Sequence, residues 1–356
     1  MMKTVNLALL TLIVICSFAQ AQNTFLGGDL YVGDPASWSD AILPTSVAGI
    51  ITNDSNGIIG NGSNSSNLLG ATNLIIIQTG STISPANYQG SKLVGCTWTV
   101  NGGQLGDGSL SINDCIITVN TNGTIYSSNN RSITIDSSTE LTLNSGTFNC
   151  GDAFVSSGTA VFHNVSATSK GIGIRDNSVT INDGTWSISG SLGGNALSSG
   201  GLLNINGADI NASGSLYFSH SNFDVYFGGN SQGHLIVDNF GGNRSRVSWI
   251  DINYKPGTET YLQLTNPVEA FETTNGGHVA EHGWSQIGAE TGLDWAPALW
   301  ADGRLTYDEQ DYTTLGDWST VTNWNGLGGY NRFSFVSNAL SLAYEPPPSG
   351  TVIIFN

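Results

Sequence analysis

A repeat constrains this chain more than anything else in it. Set one below another, "LVGCTWTV" (93–100), "INDCIITV" (112–119), "LNSGTFNC" (143–150), "FHNVSATS" (162–169), "INDGTWSI" (181–188) and "INGADINA" (205–212) each begin on an apolar residue: Leu93, Ile112, Leu143, Phe162, Ile181, Ile205. The sixth residue of each copy is Trp98, Ile117, Phe148, Ala167, Trp186 or Ile210, and the eighth is Val100, Val119, Cys150, Ser169, Ile188 or Ala212. The steps between copies are 19, 31, 19, 19 and 24 residues. A short fixed period of this kind is the signature of a solenoid, in which each coil buries its apolar side against its neighbours.

Within a copy, apolar and polar residues alternate on either side of a break, which is the period of a strand. The breaks hold Asn113-Asp114, Asn144-Ser145-Gly146, Asn182-Asp183-Gly184 and Asn206-Gly207. Asn and Asp tolerate left-handed backbone and bond their own main chain, and Gly adopts that conformation freely. These are corners between strands of one coil. Nineteen residues are too few for a helix plus strands, and no helical period runs between 45 and 265. The expected fold class is therefore all-β, a single-stranded right-handed parallel β-helix with rungs of about 19 residues, spaced about 4.8 Å, and capping segments at both ends. A β-sandwich would not keep a fixed period.

The organisation expected along the chain has four parts. Lys3, the apolar run "LALLTLIVIC" and Ala19-Gln20-Ala21 have the form of a secretory signal peptide over 1–21. Residues 22–70 form an N-terminal cap leading into the solenoid, 71–265 the β-helix, and 266–356 the last rungs and a C-terminal cap. Secretion or display at the cell surface follows, and no later run is long and apolar enough to span a membrane. Only 10% of residues are charged, and the net charge of −17 comes from scarcity of Lys and Arg, 10 in all. Nucleic acid is excluded as a partner, because phosphate neutralisation needs basic residues. Polyanionic polysaccharides are disfavoured for the same reason. Three cysteines follow the signal segment, Cys96, Cys115 and Cys150, so at most one internal bridge forms in an oxidising compartment. Cys96 and Cys115 lie one repeat apart at equivalent positions, which predicts a disulfide between them and leaves Cys150 a buried free thiol.

Two terminal stretches carry a resemblance. "WSDAILPTSVAGIITN" (38–53) resembles the opening segment of secreted parallel β-helix proteins of Gram-negative bacteria, the pectin-lyase-like solenoids. "LDWAPALWADGRLTYDEQD" (293–311) followed by "FSFVSNALSLAY" (333–344) resembles a C-terminal segment of the same group. The resemblance covers the two ends and implies architecture and secretion, with no single activity. "DWAPALWADG" (294–303) is the expected helix, limited by Pro297 to a first turn or a kink.

Several groupings bear on chemistry. "HVAEH" matches a zinc pattern through His278, Glu281 and His282, with Glu290 as a possible third ligand. The glycines around it leave no room for the helix such a site needs. Glycosidase action needs two carboxyl groups about 5–9.5 Å apart. Asp114 and Asp183, counted as equivalent corners three rungs apart, would be separated by about 14 Å. Polysaccharide lyases on β-helices join carboxylates to a basic residue, and Asp152, His163, Lys170, Arg175 and Asp176 gather in the middle rungs as candidates for such a site. Calcium is the one cofactor considered, at Asp302 with "YDEQD" (307–311), although the spacing is not that of a calcium loop. No other cofactor is expected.

The remaining feature is a ladder of outward positions on the second strand of each copy: Thr97 and Thr99, Ile116 and Thr118, Thr147 and Asn149, Ser166 and Thr168, Thr185 and Ser187, Asp209 and Asn211. Thr is also simply a good strand former. The ladder suits an extracellular polysaccharide or surface, so the expected function is adhesin-like, non-catalytic attachment or carbohydrate binding. The alternatives are ice binding through the same ladder, and a polysaccharide lyase or hydrolase using the mid-rung charges.

Overall fold

A computed structural model of the chain describes residues 23–28, 30–44, 48–59, 68–69, 74–85, 91–194, 200–218, 222–229, 232–241, 249–254, 260–266, 295–301, 303–307, 309, 323–324 and 330–345. The chain winds into about eight turns of parallel β-solenoid. Each complete turn has three faces. Face A stacks Ser91–Val94, Leu110–Asn113 and Ile133–Ile135 on 154–156, 172–174, Leu192–Gly194, Leu216–Tyr217 and Phe240–Gly241. Face B stacks Leu74–Gln78, Cys96–Val100, Ile116–Val119 and Glu140–Asn144 on 159–163, 178–182, 202–206, 224–228, Ile250–Tyr254 and Leu305–Tyr307. Face C stacks Thr82–Pro85, Gly103–Leu105 and Gly123–Ser127 on 147–150, 166–169, 185–188, Asp209–Ala212, His234–Val237 and Tyr261–Leu264.

This topology corrects the counting of the repeat. Ile112 pairs with Leu93 on face A, whereas Leu143 pairs with Val119 on face B. The 31-residue step is therefore one rung plus one face. The first two copies run from face A to face B, and the last four from face B to face C. All three faces alternate with the same period, so an apolar pattern slides from one face to the next without a mismatch. Asp114 turns the corner between A and B, Asp183 the corner between B and C, and they are not equivalent positions.

The corners have the chemistry their residues dictate. Ser145, Asn164 and Asp183 occupy successive turns of the B–C corner with φ of 57°, 50° and 56°. Just before them, side chains stack as a column of amides. Asn120 donates to Asn101 at 2.7 Å, Asn144 to Asn120 at 3.3 Å, and Asn206 to Asn182 at 2.8 Å. Inside, alternate residues of every face meet in one apolar column. In mid-solenoid it is aromatic: Phe148, Phe154, Phe162 and Trp186 pack with centroids 4.8–6.0 Å apart, mostly edge to face. Such pairs add about 0.5–1.5 kcal/mol each beyond area burial.

Both ends are covered. At the N-terminal end the buried Trp38 sits edge-on to Phe25 at 5.3 Å and donates to the Val32 carbonyl at 2.9 Å. At the other end the expected helix forms over Trp295–Ala301, burying Trp295, Leu299 and Trp300. Trp295 packs against Phe240 and Phe335, each at 5.3 Å. A hairpin of Tyr330–Val336 and Ala339–Glu345 then pairs antiparallel with Tyr261–Gln263, so the last parallel strand of face C is not left as an open edge.

Candidate ligand-binding face

Face C carries the most regular outward surface. One column reads Gln104, Thr124, Thr147, Ser166, Thr185, Asp209, His234, Tyr261, in register from turn to turn. The column two residues along reads Tyr126, Asn149, Thr168, Ser187, Asn211, Ile236, Gln263. Strand geometry sets the columns about 7 Å apart and the rungs about 4.8 Å apart. The side chains point outward because their neighbours Phe148, Trp186, Ile210, Leu235 and Leu262 are buried. Ser166, Thr168, Thr185, Ser187 and Asn211 are exposed, while Thr147 and Asn149 are half-buried. Thr168 donates to the Asn149 side chain at 2.9 Å, tying two rungs together. Toward the C-terminal end the column becomes ionisable and aromatic. His234 Nδ1 lies 2.8 Å from Asp209 Oδ1, and the His234 ring stacks on Tyr261 at 4.4 Å.

The structure divides the predicted ladder. Thr147, Asn149, Ser166, Thr168, Thr185 and Ser187 share face C. Thr97, Thr99 and Thr118 lie on face B, where they neighbour Ile116 and Glu140. The face C ladder continues instead through Thr124 and Tyr126 on one side and His234, Tyr261 and Gln263 on the other. Short alternating runs at 123–127, 234–237 and 261–264 signal these additions, but none matches the eight-residue template.

The mid-rung charges do not converge. Asp152 and Lys170 lie at the corner between C and A, Arg175 and Asp176 at the corner between A and B, and His163 at the corner between B and C. Three of them have local company. Asp152 accepts from Ser132 at 3.1 Å, Lys170 contacts the Asn130 side chain, and His163 takes the place of an Asn in the amide column, its Nδ1 3.3 Å from Asn182. The five residues thus lie at three different corners of the coil. Neighbours in sequence here are separated by the corners of the coil. His278, Glu281, His282 and Glu290, and likewise Asp302, Asp308 and Asp311, lie outside the described residues.

Cys96 and Cys115 are free thiols with sulfurs 2.9 Å apart, and Cys150 is a third, buried beside Ser127. Burial pushes the Cys150 thiol above its usual range. The chain matches no protein-family model, no curated protein and no solved structure.

Proposed function

We propose that this is a secreted, non-catalytic β-helix of the pectin-lyase-like type that attaches to an uncharged extracellular polysaccharide through face C. The observation that carries the reading is the row of three consecutive rungs, Thr147/Asn149, Ser166/Thr168 and Thr185/Ser187, in register and without a charge. Backbone pairing on both sides holds these hydroxyl and amide groups in place before any ligand arrives, so little ordering cost remains on binding. Repeated sugar hydroxyls along an extended chain can exchange hydrogen bonds with successive rungs. The scarcity of basic residues favours a neutral glycan over an acidic one. The scatter of the mid-rung charges over three corners supports attachment over catalysis.

Replacing Thr147, Thr168 and Thr185 together by lysine tests the reading, because outward side chains leave the core untouched. Binding of the wild type to insoluble cellulose, chitin and xylan is measured first. The triple variant, with an unchanged circular dichroism spectrum, should lose at least about tenfold in affinity, or about 1.4 kcal/mol. Equal binding by the folded variant, or no binding by the wild type, overturns it. Ice binding would use the same rungs, and thermal hysteresis in the wild type without polysaccharide binding would replace the glycan reading with that one.

A further inference from the structure

Face C changes character toward its C-terminal end, and the capping hairpin carries it further. Tyr261 lies opposite Ser341 and Ser341 opposite Ser334, so the outward column runs on as His234, Tyr261, Ser341, Ser334. The second column runs on from Ile236 through Gln263 and Ala339 to Val336, which is 67% exposed. Gln263 donates to the Ser337 carbonyl at 3.4 Å and so ties the hairpin tip to the last turn. Asp209, His234 and Tyr261 form a chain across three rungs. The Asp209 carboxylate can only accept, so His234 Nδ1 carries the hydrogen in their 2.8 Å contact. That bond fixes the imidazole, and the Tyr261 ring stacks on it at 4.4 Å, with 36° between the planes. Because the two rings stack along the column, the other face of Tyr261 looks toward Ser341, whose side chain is too small to cover it. Tyr261 accordingly keeps part of its surface exposed.

We propose, on the reading of face C as a glycan surface, that the Tyr261 ring is the affinity anchor of that face and holds one pyranose unit of the bound polysaccharide, with His234 and Asp209 as positioning residues. A pyranose has hydroxyls around its rim and C–H bonds on its faces. The threonine, serine and asparagine rungs satisfy only the rim. They do so by exchanging bonds that water already makes, so their net gain is small. A sugar face laid on the phenol ring removes apolar surface of both partners from water, a gain that no such exchange cancels. Tyrosine does this at low ordering cost because it has only two side-chain torsions, and here His234 fixes one side of the ring beforehand. Ser341 and Ser334, next along the column, leave room for the sugar. Ser341 donates to the Ser334 carbonyl at 3.4 Å, which leaves its oxygen able to accept from a sugar hydroxyl. Neither column carries an ionised side chain past His234, which suits a neutral ring.

The test uses the full chain on whichever of insoluble cellulose, chitin and xylan the wild type binds, with circular dichroism and a denaturant midpoint certifying each variant's fold. Tyr261→Leu, which keeps bulk but no ring, should lose at least about tenfold in affinity. Tyr261→Phe, which keeps the ring, should stay within about threefold of the wild type. His234→Ala should lose at least about threefold, and His234→Phe, which restores a stacking partner, should recover most of that loss. Wild-type affinity in Tyr261→Leu, or equal losses in Tyr261→Leu and Tyr261→Phe, overturns the anchor. Loss of binding by the threonine triple variant in the same assay would leave the face C reading standing beside that result. No binding by the wild type overturns both. If Tyr261→Leu does not fold, the His234 pair decides: wild-type affinity in His234→Ala, or a loss that His234→Phe does not recover, overturns the anchor.

Discussion

At the scale of residues, two tryptophans at the same place in the repeat have different polar surroundings. Trp98 Nε1 donates at 3.0 Å to the side-chain oxygen of Gln78, whose amide nitrogen donates to the carbonyls of Ser81 and Gln104 at 2.7 and 2.8 Å. Trp186 Nε1 is buried with no hydrogen-bond partner. Leaving a buried acceptor unpaired costs about 1–3 kcal/mol, whereas removing an unpaired donor costs nothing of that kind. Trp98→Phe should therefore destabilise by at least about 1 kcal/mol more than Trp186→Phe. Denaturant titration of the two variants checks the difference, and equal losses would mean that Gln78 finds another donor. The alternation marked both tryptophans as core. It was blind to Gln78, a polar residue that is fully buried because one partner from its own turn and two from the next converge on it.

At the scale of elements, the strand 222–229 carries a charge where its neighbours are uncharged. Asp224 projects from face B in line with Ser178 and Leu202. Burial pushes its carboxyl up to about 6, opposed by the Trp249 backbone N–H it accepts at 3.3 Å. A folded-state value above the unfolded one means that the folded chain binds the proton more tightly. This group's contribution is then most favourable below about pH 4, falls as pH rises toward about 6, and is level above. Asp224→Asn should leave the variant more stable than the wild type above about pH 6, with the gap closing as pH falls to about 4. Parallel denaturant titrations across that range read the gap directly, and a constant gap would refute the assignment to Asp224. Element boundaries were legible where Asn, Asp or Gly breaks the alternation, as at Asp183. Which face each element joins was not, since faces A, B and C share one apolar period.

At the scale of the whole molecule, a solenoid's weakness is its ends. The C-terminal hairpin pairs with Tyr261–Gln263, and Leu340, opposite Leu262, is fully buried. Leu340→Asp places a carboxylate in that contact and should release the hairpin from the last turn. The exposed edge should then drive concentration-dependent self-association, visible by light scattering, with circular dichroism still dominated by strand. A monodisperse variant would show that the cap does not guard the edge. Trp38 and Trp295 pack at opposite ends of the stack.

The sequence by itself determined the solenoid, its strand period, its corners and the inward set of side chains, because each follows from alternation and turn chemistry within a few residues. Only the tertiary structure decided which rungs share a face. It joined Thr147, Ser166 and Thr185 to Thr124 and His234 and separated them from Thr97 and Thr118. It also dispersed Asp152, His163, Lys170, Arg175 and Asp176 over three corners while closing Cys96 on Cys115. The physical reason is that a coil's corner turns the chain away within two or three residues, so nearness in sequence is lost. Register between turns brings together residues a full turn apart.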